Sequence, residues 1–259
     1  MRLRTASGLQ ALGLTVALGA SGAASDFHWK GRAGQTLEIK GVNGHISAEP
    51  AAGAEAEVTA VKRGRRGDPA SVKIEVVEHA EGVTICAVYP TPEGKAANEC
   101  RPGRGGRMQT HDNDVNVEFE VRVPAGTAFV ARTVNGGVEA AGLSGDVDAS
   151  TVNGGIKVET RGNAVAQTVN GSIVASAGRA DWTGNAEFKT VNGSITVSLP
   201  EGASATVEAS TVNGGIETDF PLQVRGRFSS KRATGSIGNG GRALSLATVN
   251  GAIALRQSR

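Results

Sequence analysis

Cys86 and Cys100 are the only cysteines in this sequence of 259 residues, and they lie 14 positions apart. In an exported protein such a pair predicts a disulfide. The bond would close a loop rich in Pro, Gly and charge, and in the chain-entropy model it adds about 3 kcal/mol of stability. The alternative is a free catalytic thiol, but no residue in the neighbouring sequence could activate it.

The other reactive side chains form no recognisable catalytic or metal-binding motif. The histidines at 28, 45, 79 and 111 are scattered, without the spacing of metal ligands. The run His111–Asp114 could offer oxygen ligands to a cation, although such a run is more often a polar turn before a strand. No nucleophile elbow, Walker loop or dinucleotide-binding glycine motif occurs. We therefore expect no catalytic residues, no metal and no cofactor.

Arginine-rich loops are the clearest candidates for ligand binding. Two of them contain Arg63, Arg65, Arg66, Arg101, Arg104 and Arg107, and a third cluster contains Arg225, Arg227, Lys231 and Arg232. Guanidinium groups bind phosphate and carboxylate groups, so an anionic glycan is a candidate ligand. The alternative is that these are ordinary solvated loop charges. Nucleic acid is disfavoured because aromatic residues are not interleaved with the basic ones.

The first 25 residues have the parts of a secretory signal peptide. A basic start precedes an apolar stretch at 11–20, too short to span a bilayer, and small residues follow at 21–25. We expect cleavage near Ala24 or Ser25, and a mature protein in the periplasm, on the cell surface or outside the cell. No later apolar run is long enough for a transmembrane helix.

Removal of this segment changes the net charge. The whole chain carries 27 basic and 25 acidic residues, and the loss of Arg2 and Arg4 leaves 25 of each. A mature chain of zero net charge has no overall field to direct it to nucleic acid or to an anionic membrane. Any such binding would have to be local.

Composition points to an all-β chain. Glycine accounts for 37 residues, whereas only six Phe, two Trp and one Tyr are present. Glycine disfavours helix interiors by about 1 kcal/mol relative to alanine. Short Val-, Ala- and Thr-rich strands joined by tight turns fit this composition.

A four-residue repeat, the TVNG motif, carries most of the structural information. The motif begins at Thr133, Thr151, Thr168, Thr190, Thr211 and Thr248. Its asparagines are Asn135, Asn153, Asn170, Asn192, Asn213 and Asn250. A variant begins at Gly41, and a degenerate copy near Ala233 places Thr234 at the asparagine position. Each motif is followed after one residue by Ile or Val.

The repeat predicts a β-solenoid. Asn-Gly favours turns because both residues tolerate positive φ, and alternating residues on either side predict short strands. An array of hairpins would use the same parts, but a solenoid explains why equivalent positions repeat the same residues. We expect a single-stranded, β-helix-like solenoid of about seven coils, with its asparagines stacked in an amide ladder.

The orientation of the motif side chains has two solutions. Strict alternation from Phe188 places Thr190 and Asn192 inside and Val191 outside, which would leave a stripe of valines on the surface. A bend at the motif would reverse this parity and bury the valines instead. Residues 26–114, with the first motif copy and the disulfide loop, are predicted as an irregular N-terminal β cap. Residues 115–259 are predicted as the solenoid repeats.

The sequence resembles the bacterial "putative adhesin" family of unknown function. The run Asn116–Gly126, the phrase Ser198–Ala203, the repeats and the ending Ile237–Gly241 carry this resemblance, which extends from Leu37 to Leu255. It implies an exported β-solenoid and supplies no catalytic residues. We therefore expect a non-enzymatic adhesin-like binding or scaffold protein of the envelope. The alternatives are a β-helix enzyme that processes polysaccharides and an ice-binding face of outward Thr and Asn.

Overall fold

The computed structural model describes residues 24–179, 182, 184–226 and 230–258. They form 21 β-strands and one short 3-10 turn, Pro69–Ser71. The predicted signal peptide, residues 1–25, lies outside the described residues apart from Ala24 and Ser25, with which the first strand begins.

The strands are short, as the spacing of the repeats requires. The first eleven are β1 (Ala24–Gly31), β2 (Thr36–Lys40), β3 (Ile46–Pro50), β4 (Ala56–Arg63), β5 (Lys73–His79), β6 (Gly82–Val88), β7 (Asn116–Val123), β8 (Ala128–Arg132), β9 (Val138–Leu143), β10 (Val147–Ser150) and β11 (Ile156–Thr160). The others are β12 (Ala164–Gln167), β13 (Ile173–Ala177), β14 (Ala186–Lys189), β15 (Ile195–Leu199), β16 (Ala205–Asn213), β17 (Ile216–Thr218), β18 (Gln223–Arg225), β19 (Lys231–Ile237), β20 (Ala243–Asn250) and β21 (Ile253–Gln257).

Two sheets form the solenoid. Sheet A has the strand order β1-β4-β7-β3-β9-β11-β13-β15-β21-β17, and sheet B has the order β18-β19-β16-β20-β14-β12-β10-β8-β2-β6-β5. Each coil runs along one strand of sheet B, turns at an Asn-Gly corner and returns along one strand of sheet A. Coils pair in parallel with their neighbours, as β10 does with β12 and β11 with β13. The prediction of an all-β solenoid of about seven coils is confirmed.

Alternating side chains from both sheets fill the space between them. The hydrophobic residue after each motif lies inside, and Ile173, Ile195 and Ile253 have no exposed surface. Sheet B supplies the facing layer, in which Phe129, Phe188 and Leu246 are buried. These stacked columns form one continuous core, which explains why the same residue types recur in every coil.

The last coil does not stack at the end of the solenoid. Strand β20 lies between β14 and β16, and β21 lies between β15 and β17. The corner asparagines therefore follow the order Asn192, Asn250, Asn213 in space. The chain reaches this position after β19, which pairs antiparallel with β16. The interpretation of Thr234 as a coil of the ladder is wrong, because Thr234 lies in β19 opposite Glu208.

Additional strands extend both ends of the stack, and the antiparallel ones are β4, β1 and β5 at one end and β19 and β18 at the other. At one end β7, β4 and β1 extend sheet A, and β6 and β5 extend sheet B. At the other end β19 and β18 extend sheet B, while β17 is the edge of sheet A. The first motif copy belongs to the stack itself, since β2 and β3 form a coil that pairs with β8 and β9. Strand β7 lies between β3 and β4 in the N-terminal extension.

The insertion of the coil formed by β20 and β21 between its neighbours can be tested with pairs of cysteines on the outer face of sheet B. Glu187 is the Cα partner of Ser245, and Ser245 is the partner of Glu208. Neighbouring strands lie about 4.8 Å apart, whereas a disulfide requires Cα atoms within about 7 Å. We expect Glu187→Cys with Ser245→Cys to form a disulfide, detected by mass spectrometry of non-reduced peptides.

The pair Glu187→Cys with Glu208→Cys is the matched control. In the inserted order these two positions are two strands apart and stay reduced. In a stack that followed the chain order they would be neighbours, so a disulfide between them would contradict the insertion.

Candidate functional site

The corner of each coil presents a fixed pattern of side chains. The motif threonines are buried, with 2–6% of their surface exposed, and the valines after them face outward with 38–44% exposed from Val152 onward. The corner asparagines also face the solvent, apart from the partly buried Asn43. Strict alternation correctly predicted Thr inside and Val outside. It was wrong for Asn, because the chain bends between Val and Asn and places both on the outer surface.

The asparagines form a hydrogen-bonded ladder along this corner. Each Nδ2 donates to the asparagine Oδ1 of the coil before it in the stack at 2.8–2.9 Å, as Asn153 does to Asn135. The ladder has a seventh member, Asn43, which accepts from Asn135. Its motif copy was predicted to belong to the N-terminal cap. The variant Gly-Val-Asn-Gly was the signal for it.

Glycine is required at the corner by close approach of the coils. A Cβ atom on Gly136, Gly154, Gly171, Gly193, Gly214 or Gly251 would lie only 1.9–2.1 Å from the carbonyl oxygen of a glycine in the adjacent coil. The same carbonyls accept the hydroxyls of the motif threonines, for example Thr151 to Gly136 at 2.8 Å. The explanation from positive φ is wrong for these glycines, because only Gly44 has a φ in that region, at 131°.

The outward valines form a stripe beside a shallow groove. Val169, Val191 and Val249 line this groove together with sheet B residues such as Gln167 and Lys189. The hypothesis of an ice-binding face required Thr and Asn to face outward together. It is wrong because the threonines are buried under the corner.

The disulfide loop folds over the outer face of sheet B. Cys86 and Cys100 are bonded, with Cα atoms 5.8 Å apart, as their spacing predicted. Lys40, which is 6% exposed, donates from Nζ to the carbonyl oxygens of Arg101 and Gly103 at 2.6 and 2.5 Å. Burial lowers the pKa of Lys40 below its usual range.

A buried carboxylate completes the attachment of the loop. Glu38 accepts hydrogen bonds from Thr84 and from the backbone amide of Gly103 at 2.9 and 2.8 Å, and it lies 3.2 Å from Arg132 Nε. Glu38 and Lys40 could not be identified from the sequence, because they have the outward positions of an ordinary strand and nothing local shows that a loop covers them.

The six loop arginines are exposed but not equivalent. Arg63 pairs with Glu118, and Arg101 pairs with Glu99, each at 2.8 Å. The backbone amide of Arg66 binds the Asp114 carboxylate, and with Gly67 it lowers the pKa of that carboxyl. Four of the six arginines have no ion pair to any described carboxylate: Arg65, Arg66, Arg104 and Arg107.

The two arginine loops start from different sheets. The first extends from β4 in sheet A, and the second lies over sheet B, where its backbone contacts Lys40. Among the described residues no hydrogen bond or ion pair joins them. In the third cluster Arg232 pairs with Glu208, while Arg227 lies outside the described residues.

The run His111–Asp114 is a turn in the structure. Asp112 has a φ of 49°, and Asp114 is engaged by the loop amides of Arg66 and Gly67. In the part of the chain that the structure describes, no group of three or more His, Cys, Asp or Glu could hold a metal ion. Among these same residues there is also no helix of the length and hydropathy needed to cross a membrane.

Several carboxylates on the outer faces are paired with cations. On sheet B, Asp148 lies 2.9 Å from Arg132, and Glu187 lies 2.7 Å from Lys189. On sheet A, a hydrogen bond from Lys157 lowers the pKa of Glu139, whereas a general acid needs a raised pKa. Along the sheet B register, the neutral Val165 separates Asp148 from Glu187.

The stacked motif corners, which join two sheets whose central strands are parallel, place this protein in the β-solenoid class. The model of the Toastrack family, a domain of unknown function designated DUF4097, matches residues 18–256. The chain therefore belongs to the Toastrack DUF4097 family, and the resemblance expected from the repeats is confirmed. A comparison with curated proteins gave no significant match.

Three solved structures that are similar to this chain are each named as a putative adhesin or cell adhesion protein. A putative cell adhesion protein from Clostridium sporogenes has a TM-score of 0.53 at 10% identity, covering 91% of this chain and 100% of that one. A putative adhesin from Bacteroides fragilis has a TM-score of 0.40 at 11% identity, covering 90% and 97%. One from Parabacteroides distasonis has a TM-score of 0.32 at 11% identity, covering 90% and 96%.

A pair of glycine substitutions tests the close approach at the corner. In Gly171→Ala the new Cβ would lie 1.9 Å from the carbonyl oxygen of Gly154. We expect the free energy of unfolding to fall by about 3 kcal/mol or more, measured by urea denaturation.

Gly215→Ala is the control, because Gly215 lies one residue after a corner glycine with no atom within 4 Å of a new Cβ. This change should leave stability within about 1 kcal/mol of wild type. Equal effects of the two substitutions would contradict the requirement for glycine at the corner.

Proposed function

We propose that this protein is an exported, non-enzymatic binding protein of the bacterial envelope, of the adhesin type. The observation that supports it most is the division of the chain into a regular part and a variable part. The regular part repeats Thr, Val, Asn and Gly, and the Thr and Asn side chains form hydrogen bonds that hold the coils together. The variable part comprises loops that carry arginine and that the repeats do not need.

Anionic glycans are the ligand class that we propose for these loops. Arg65, Arg104 and Arg107 are exposed and have no ion pair to a described carboxylate. Such guanidinium groups can bind sulfate, phosphate or carboxylate groups in pairs of hydrogen bonds. The mature chain has no net charge, so recognition would depend on these local groups and would weaken with added salt.

The alternative of a polysaccharide-processing enzyme receives less support. Glycoside hydrolysis needs two carboxyl groups, one of which has a raised pKa, on either side of the scissile bond. The outer-face carboxylates Asp148 and Glu187 are each already engaged in an ion pair, with Arg132 and Lys189. Turnover of a polysaccharide by the purified protein would contradict the proposal.

A charge-matched pair of variants tests the ligand site. The first replaces Arg65, Arg104 and Arg107 with Ser, and the second replaces Lys157, Lys189 and Arg256, which are exposed bases paired with carboxylates elsewhere. Binding to immobilised heparin and to lipopolysaccharide is measured at several salt concentrations. We expect the first variant to lose about tenfold in affinity and to show a flatter salt dependence.

The second variant removes the same charge and should bind as the wild type does. Thermal unfolding of both should stay close to wild type, because exposed charges and exposed ion pairs contribute little to stability. Equal losses in the two variants would show that net charge alone governs binding. Unchanged binding in the first variant would discard the arginine loops as the ligand site.

A further inference from the structure

The asparagine ladder is closed at one end and open at the other. At the closed end Nδ2 of Asn43 lies 3.5 Å from the carbonyl oxygens of Asn113 and Val115. At the open end Asn213 still donates from Nδ2 to Asn250 at 2.8 Å. Its Oδ1 has no donor among the residues that the structure describes, because no further coil follows.

The backbone amide of the glycine after each ladder asparagine is also bound by the next coil, except at the open end. The amide N–H of Gly44, Gly136, Gly154, Gly171, Gly193 and Gly251 donates to the asparagine carbonyl of the next coil at 2.8–3.1 Å. Gly214 is the exception, since its amide has no acceptor among the described residues. Strand β19 pairs with β16 only as far as Thr211, whose partner is Lys231. Thr211 lies two residues before Asn213.

This difference matters because Asn-Gly dipeptides can react with themselves. The amide nitrogen of the glycine gives up its proton and attacks Cγ of the asparagine side chain. A new N–Cγ bond closes a five-membered succinimide, and the bond from Cγ to Nδ2 breaks, so that ammonia leaves. Water then opens the ring at one of its two carbonyl carbons and gives aspartate or isoaspartate. One water is consumed, one ammonia is released, and nothing is oxidised or reduced.

We propose that Asn213 is a site of spontaneous deamidation in the folded protein, whereas the other six ladder asparagines are protected. At an internal corner such as Asn153, the attacking amide of Gly154 is bound to Asn170 at 2.9 Å, and both polar atoms of the side chain are engaged. Reaction there requires local opening of the ladder. At Asn213, by contrast, no described residue accepts a hydrogen bond from the attacking Gly214 amide, and among these residues only Asn250, through Nδ2 of Asn213, restrains the side chain.

The product changes the end of the solenoid. A carboxylate at position 213 has no hydrogen to donate to Asn250 Oδ1, and the two oxygens repel each other. Isoaspartate also adds a backbone carbon at the corner. Both changes weaken the attachment of the coil formed by β16 and β17. Deamidation would therefore loosen this end of the stack before any other.

Peptide mapping by mass spectrometry tests the proposal within one sample. The folded protein is incubated in mildly alkaline buffer, digested at low pH and analysed for deamidation at every Asn-Gly pair. Asn239–Gly240 lies in an exposed turn, with the Gly240 amide bound to Ile237, and gives a reference outside the ladder. We expect Asn213 to react at least about tenfold faster than Asn153 and Asn170, because each of those has two hydrogen bonds, at the glycine amide and at Oδ1, that Asn213 lacks among the described residues.

Two controls separate the fold from the local sequence. In urea all seven motif asparagines should react at similar rates, because the ladder is gone. The variant Asn213→Ser should remove the fast component from the folded protein and leave the slow ones unchanged. Equal rates at Asn213 and Asn153 in the folded protein, or faster reaction at Asn153, would overturn the proposal.

Discussion

Contact between successive glycines at one corner sets the geometry of the whole solenoid. Their coils approach so closely that no side chain fits between the glycine and the neighbouring carbonyl group. That carbonyl then lies within reach of a threonine hydroxyl from inside and leaves the outer side of the corner to asparagine. With the corner fixed, the two strands of each coil diverge into separate sheets and enclose the aliphatic core. The residue types of the TVNG motif therefore follow from a single steric constraint, the close approach of the corner glycines.

Much of this arrangement could be predicted from residue patterns. Alternation located the strands and correctly buried Thr190, and the recurrence of one motif predicted stacking of equivalent residues. The bend between Val191 and Asn192 could not be predicted, because alternation carries no information about where a strand turns. The inserted coil could not be predicted either. All copies of the motif are chemically interchangeable, so the sequence does not distinguish Asn213 from Asn250 as the neighbour of Asn192.

The attachment of the disulfide loop shows another limit of sequence reasoning. Glu38 and Lys40 have the alternating outward positions of a half-exposed strand, yet both are buried beneath a loop more than 60 residues further along the chain. A buried ammonium group is tolerated there because loop carbonyls replace its water. The same contacts hold the backbone of the loop against the sheet, so that Arg104 and Arg107 extend from an anchored loop.

The insertion of the C-terminal coil also determines the order in which the stack can be completed. Ribosomes synthesise a protein from its N-terminus, so residues 243–257 are made after the coils on either side of them, yet they form an internal layer of the structure. The coils on either side of them exist earlier and cannot complete their native pairing until that layer arrives. Growth by adding one coil after another is therefore impossible at this end. The stack keeps a gap until residues 243–257 occupy it, and loss of β20 and β21 would remove a layer from within the stack.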